Sequence, residues 1–112
     1  MSRLLPESRW SVWRDGELLI DVDWNGVRSE TDIERVRRIR ISTNDSGPWG
    51  ADLWWTFEGH DGSVLCAFPQ GATGLQAIVD WLMSLPGFDH GAMARAMTSI
   101  DNADFIVWTA SP

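Results

Sequence analysis

Two dipeptides near the start of the chain, Asp15-Gly16 and Asn25-Gly26, are typical of tight β-hairpin turns. In a type I′ turn both central residues need positive φ angles, which glycine, asparagine and aspartate adopt most readily. Apolar and polar residues alternate around the two dipeptides, as they do in half-buried strands. The sequence therefore predicts an antiparallel meander whose first strands are residues 10–14 and 18–24.

The alternation continues as far as residue 68. A third strand is predicted over residues 27–43, with an interruption where Thr31 and Glu34 fit a capping box and predict one helical turn. Strands four and five are predicted at residues 52–58 and 63–68. On the fourth strand the apolar face that we expect in the core consists of Leu53, Trp55 and Phe57.

After this meander the apolar period changes from that of a strand to that of a helix. Thr73 is the predicted N-cap of a first helix, which Pro86-Gly87 ends, and Asp89 is the predicted N-cap of a second. The apolar stripe of the first helix is Leu75, Ile78, Val79, Leu82 and Leu85. The stripe of the second is Met93, Ala96, Met97 and Ile100.

The last predicted strand, residues 103–109, is apolar on both faces, which is typical of a strand inside a sheet, and we expect it to lie between or beside earlier strands. The predicted fold is α+β: an antiparallel sheet of about six strands, five from the meander and one from the C-terminus, with two consecutive helices packed on it. A chain of 112 residues has the size of one domain. We expect residues 1–8 to be a frayed leader and residues 9–112 to form the domain.

The sequence also predicts where the protein works. Cys66 is the single cysteine, so an internal disulfide is excluded and a reducing compartment is expected. The sequence shows neither a signal peptide nor a segment long and apolar enough for a membrane span. All nine basic residues are arginine, which is typical of a GC-rich genome. We therefore expect a bacterial, cytoplasmic protein.

Charge is distributed unevenly along the chain. Residues 1–40 are neutral, and residues 41–112 carry the whole net charge of -7. Such a field repels nucleic acids and anionic membranes and attracts a basic protein or a cationic ligand. The alternative explanation is that the net charge only keeps the protein soluble. The one basic cluster is expected to pair across the sheet with the acids of the second strand; its members are Arg35, Arg37, Arg38 and Arg40.

No residue pattern indicates catalysis or a cofactor. Cys66 is expected to be a buried, inert thiol because it shares a strand face with apolar residues. The two histidines lack the spacing of metal ligands, so no metal or other cofactor is predicted. The carboxylate pair Asp21 and Asp23 could support acid–base chemistry, but a solvated strand face is the simpler interpretation. The chain is therefore predicted not to be an enzyme.

A partner-binding surface is predicted around the fourth strand. Trp54 lies on the face opposite the core residues, beside acidic side chains, and exposed tryptophan is common in binding hot spots. The alternative is that the two helices cover this face and bury Trp54. The predicted partner-binding residues are Asp45, Trp49, Asp52, Trp54, Glu58 and Asp61.

Two resemblances add to this interpretation. The strand layout around Trp10-Ser11-Val12-Trp13 and Asp15-Gly16-Glu17, with the turn at residues 31–34 and the strand at 36–42, resembles bacterial pleckstrin-homology-like domains. In size, acidity and tryptophan content the chain is similar to immunity proteins of bacterial toxin systems. The first hypothesis is thus a protein-binding module that inhibits a basic partner.

The second hypothesis, a small-ligand domain, places an apolar pocket between the sheet and the helices. Its predicted lining is Trp55, Phe57 and Met97.

Overall fold

The structure is a computed structural model that describes residues 7–44, 53–99 and 101–110. The α+β class, the antiparallel strands and the two consecutive helices are confirmed. Short 3-10 helices span Glu7–Arg9 and Ile33–Arg35. The other elements are β1 (Ser11–Asp15), β2 (Leu18–Val22), β3 (Arg28–Asp32), β4 (Arg38–Thr43), β5 (Leu53–Glu58), β6 (Val64–Pro69), α1 (Leu75–Met83), α2 (His90–Thr98) and β7 (Ala103–Thr109).

The described strands form two sheets rather than the single predicted sheet of about six strands. The first sheet has the order β1-β2-β3, and the second has the order β6-β5-β4-β7. The chain changes sheets in the crossing segment, residues 32–37, where the sequence predicts a helical turn. Asp32 is the N-cap of the 3-10 helix, with Oδ1 accepting from the Glu34 N–H at 3.0 Å. This turn ends the ladder of the first sheet, so the predicted third strand becomes β3 and β4.

Both predicted hairpins are present in the first sheet. β1 pairs with β2 up to Asp15 and Leu18, and Gly16 has a φ of 61°. The second connection is longer than a two-residue turn, because the last pair of β2 and β3 is Val22 with Arg28. Within this loop Asp23 Oδ1 accepts from the N–H groups of Asn25 and Val27 at 2.8 and 3.0 Å.

The entry to α1 differs from the prediction. Gly74, with a φ of 91°, is the N-cap, and Thr73 instead pairs with the edge of β1: its N–H donates to the Trp10 carbonyl, and its carbonyl accepts from Val12. A Cβ at position 74 would collide with the Val12 carbonyl oxygen, so only glycine fits this close approach. For α2 the predicted cap is confirmed, since Asp89 Oδ1 accepts from the Ala92 N–H.

β7 lies at the edge of the second sheet, beside β4, which is one of the two positions that the sequence left open. The segment between the two helices covers this edge in place of another strand. The Asp89 N–H donates to the Val107 carbonyl at 2.7 Å, and Trp108 Nε1 donates to the Pro86 carbonyl at 3.1 Å. Ile106 faces the other way and stays exposed.

The core lies between the inner faces of the two sheets and the helices. α1 packs against β1, and α2 packs against β7 and β4. The residues of α1 that are buried are Leu75, Ile78, Val79 and Leu82, as the predicted stripe requires. No helix of the described residues is long and apolar enough to cross a membrane.

Candidate functional site

Three of the six predicted partner-binding residues, Asp45, Trp49 and Asp52, lie outside the described residues. The other three have different environments. Trp54 is half-buried, Glu58 is buried and Asp61 is exposed. The described part of the chain therefore does not bring them together into one exposed acidic surface.

Trp54 packs edge-to-face against two tryptophans that flank strands of the first sheet, Trp10 before β1 and Trp24 after β2. It lies on the face of β5 opposite Trp55 and Phe57, as predicted, and those two residues are fully buried. Its ring centroid is 5.4 Å from that of Trp10 and 6.1 Å from that of Trp24, and Trp10 and Trp24 are 5.0 Å apart. All three interplanar angles lie between 77° and 88°. We call Trp10, Trp24 and Trp54 the tryptophan cluster. Trp54 is half-buried in it, so Trp54 is neither fully exposed nor fully buried, the two arrangements that the sequence predicts.

Glu58 forms ion pairs with two arginines of β4. Arg38 Nε lies 2.6 Å from Glu58 Oε1, and Arg40 Nη2 lies 2.9 Å from Oε2. Arg40 also contacts Asp104 at 3.5 Å. Two of the four clustered arginines thus pair across a sheet, but their partners are acids of β5 and β7 and not the predicted acids of β2. Because the Glu58 side chain is only 6% exposed, it adds little to any partner-binding surface.

Asp61 lies in the exposed turn between β5 and β6. Its Oδ1 accepts hydrogen bonds from Ser63 Oγ at 2.6 Å and from the Ser63 N–H at 3.0 Å. These bonds lower the pKa of the Asp61 carboxyl, with the hydroxyl contributing most. Of the predicted residues that the structure describes, Asp61 is therefore the one that presents a free negative charge to solvent.

Asp21 is buried, which contradicts the expected solvated strand face. It is 4% exposed, and its Oδ2 has no hydrogen-bond partner among the described residues. The Nε1 of Trp10 is also buried and unpartnered, although this indole lies beside the carboxyl. Burial raises the pKa of Asp21, and the Trp10 indole opposes part of that rise while Asp23 adds to it.

Cys66 is the inert thiol that the sequence predicts. It is 7% exposed, and burial raises its pKa to about 12. A thiol with this pKa forms almost no thiolate at neutral pH, so it is a poor nucleophile. Among the described residues there is also no group of three or more acidic, histidine or cysteine side chains that could hold a metal ion.

An apolar pocket opens between the second sheet and the end of α1. Its volume is about 140 Å³, and Phe57 is the one predicted lining residue that it contains. Trp81 in the last turn of α1 and Leu85 just beyond its end both line it, and the sequence prediction did not connect Trp81 with this pocket. The lining residues are Ile33, Val36, Ile39, Phe57, Trp81, Leu85 and Trp108.

A polar groove of about 350 Å³ lies on the other side of the crossing segment. Arg35 and Arg37 line it, and neither makes a salt bridge with a described residue. Acidic side chains line it as well, so the groove has no single sign of charge. Its other lining residues are Asp32, Glu34, Gly59, His60, Asp61, Ser63 and Leu65.

Comparisons with protein-family models, with curated proteins and with solved structures find no match for this chain. The resemblances to pleckstrin-homology-like domains and to immunity proteins stay predictions.

Proposed function

We propose that this chain is a non-catalytic protein-binding module whose apolar pocket holds one apolar side chain of the partner. The observation that supports this proposal is the size of the pocket together with its lining. Sites for drug-sized ligands usually measure about 300–1,000 Å³. A cavity of roughly 150 Å³ with an apolar lining holds a single benzene ring. At about 140 Å³, the pocket matches one side chain better than a metabolite.

The chemistry of the lining supports an anchor of this kind. All seven lining residues are apolar, and Trp81, Leu85 and Trp108 are half-buried, so part of the wall borders solvent. Binding energy at protein interfaces concentrates where a large side chain fills a desolvated pocket. A small ligand of the size of one ring is the alternative occupant, and it would use the same wall.

The test is a titration of the protein with capped phenylalanine amide, with capped alanine amide as the reference ligand. We expect saturable shifts of the Trp81 and Trp108 indole NMR signals with the phenylalanine compound only. Ile33→Trp fills the pocket and should abolish the shifts. Val27→Trp places the same ring at a turn position that is 57% exposed, and it should leave them unchanged.

Two results would contradict the proposal. One is the absence of saturable shifts in the native protein. The other is unchanged binding in a folded Ile33→Trp variant. Leu85→Trp is a second filling variant if Ile33→Trp does not fold. A response to free benzene without any response to the capped amide would favour the small-ligand alternative.

A second candidate is an immunity-type inhibitor of a basic toxin in the bacterial cytoplasm. The charge of -7 in residues 41–112 supports this candidate, because it would accelerate association with a basic partner. Asp45 and Asp52, with Trp49 as an anchor, would then form part of the interface. If the product of a neighbouring open reading frame is a basic toxin, Asp45→Lys with Asp52→Lys should slow its association. An unchanged association rate would count against this candidate.

A further inference from the structure

We propose that the tryptophan cluster and Asp21 form a binding site for an organic cation of the guanidinium type. The site lies at the junction of the two sheets and shares no residue with the apolar pocket. It therefore stands or falls independently of the proposed anchor. An arginine side chain of a protein partner or a free guanidinium compound would present the same chemical group.

The ring geometry suits a cation. Indole faces carry negative electrostatic potential, and a cation within about 6 Å of the ring centroid is attracted to them. Because the rings of Trp10, Trp24 and Trp54 are nearly perpendicular to one another, their faces point in three different directions. All three are half-buried, so the cluster borders solvent.

The chain already binds its own guanidinium groups in this way. Arg14 Cζ lies 4.3 Å from the ring centroid of Trp81, and Arg28 Cζ lies 5.7 Å from that of Trp13. A planar guanidinium can stack on an indole and donate hydrogen bonds to a carboxylate at the same time. The tryptophan cluster has the indole rings, and Asp21, which interacts with Trp10, is the carboxylate beside it.

The second observation is the buried carboxylate next to the cluster. Asp21 Oδ2 is an acceptor with no partner among the described residues, although Asp21 as a whole is only 4% exposed. Buried polar atoms are nearly always hydrogen-bonded, so an unpartnered one requires an explanation. Asp23 lies close enough to affect the titration of Asp21 and adds a second negative charge. A bound guanidinium would donate a hydrogen bond to Oδ2, and its positive charge would be attracted to both carboxylates.

The competing explanation is that Trp10 Nε1 and the Asp21 carboxylate satisfy each other, either directly or through one buried water, with the three rings in contact only for packing. Water can donate to the carboxylate and accept from the indole, so it would satisfy both atoms. The two explanations differ in one observable, which is saturable binding of a cation.

The experiment is a titration of the full chain with ethylguanidinium, followed by the indole NMR signals, with sodium chloride at matched ionic strength as the control. We expect saturable shifts of the Trp10, Trp24 and Trp54 signals. Asp21→Asn should weaken binding about tenfold or more, because it removes a charged hydrogen-bond acceptor. Trp13→Phe alters an indole on the exposed side of β1 and should leave the affinity unchanged. Ile33→Trp should also leave it unchanged.

The proposal is wrong if ethylguanidinium gives no saturable shift at millimolar concentration. It is also wrong if both Asp21→Asn and Trp54→Phe, each folded, bind as the native protein does. In either case a direct or water-bridged contact between Trp10 and Asp21 remains as the explanation. If binding is found, an arginine-containing peptide that binds more tightly than ethylguanidinium identifies a protein as the source of the cation, and equal or weaker binding identifies a free ligand.

Discussion

Glu58→Gln should destabilise the fold far more than the same substitution at Glu30. Glu58 is the shared carboxylate of Arg38 and Arg40, at 2.6 and 2.9 Å, and its side chain is 6% exposed. Glutamine has nearly the same shape, so the substitution creates no cavity. It removes the charge and leaves two arginines facing a neutral amide.

The magnitude follows from burial. Removing one partner of a fully buried ion pair costs about 3–5 kcal/mol, because the remaining charge is left uncompensated. Here the side chains of Arg38 and Arg40 remain 41% and 28% exposed, so water solvates part of the charge that is left. We therefore expect a loss of about 2–3 kcal/mol for Glu58→Gln, somewhat below the range for fully buried pairs.

Glu30→Gln is the matched control. The Arg28–Glu30 pair has a similar distance, 3.1 Å, but its side chains are 53% and 48% exposed. Exposed pairs contribute about 0–1 kcal/mol. Urea unfolding followed by circular dichroism at neutral pH measures both variants, and a loss of about 2 kcal/mol lowers the midpoint by roughly 1 M. If Glu58→Gln costs no more than Glu30→Gln, burial does not strengthen this ion pair and our reasoning is wrong.

Three further predictions concern buried or constrained residues. Burial raises the pKa of Asp21. The contribution of this group to the free energy of unfolding is therefore fully present below the ordinary carboxyl pKa, and it is lost as the pH rises through the raised pKa. Asp21→Asn should therefore raise the melting temperature at neutral pH, with a gain that shrinks in acid; a loss at neutral pH would show that the carboxylate is well paired. Cys66, with a pKa of about 12, should resist a thiol reagent at mildly alkaline pH until urea unfolds the chain, and rapid labelling of the native protein would contradict its burial. Gly74→Ala should cost more than about 2 kcal/mol in urea unfolding, because it combines a positive φ with a collision. Gly62→Ala, with a φ of +81° and open space, should cost about 1 kcal/mol, and equal losses would exclude the collision as a cause.

The local elements of this fold could be predicted because short-range chemistry determines them. Asp15-Gly16 forms its hairpin, and the stripe from Leu75 to Leu82 faces the core. Asp89 caps α2 through its own side chain. Each of these features depends on residues within one or two turns of the backbone, which a sequence displays directly.

The tertiary arrangement could not be predicted in the same way. The interruption near Thr31 is visible in the sequence, but nothing local shows that β4 begins a different sheet after it. Trp10 and Trp54 meet although 44 positions separate them in the sequence. The apolar faces of β7 do not show whether it lies inside a sheet or at an edge, because a loop that covers an edge buries apolar residues as effectively as a strand does. Glu58 is not an exposed carboxylate as predicted, because it pairs with Arg38 and Arg40 of β4, and this strand pairing is not visible in the local sequence.

The crossing segment connects the division into two sheets with the apolar pocket. In a 3-10 helix, residues three positions apart lie above one another on one side. Ile33 and Val36 have this spacing, the Val36 N–H donates to the Ile33 carbonyl at 3.1 Å, and both side chains line the apolar pocket. The charged residues between and beside them line the polar groove. In a continuous strand the period of two would have placed Ile33 and Val36 on opposite faces. The turn that ends the first sheet therefore also brings these two residues together as one wall of the pocket.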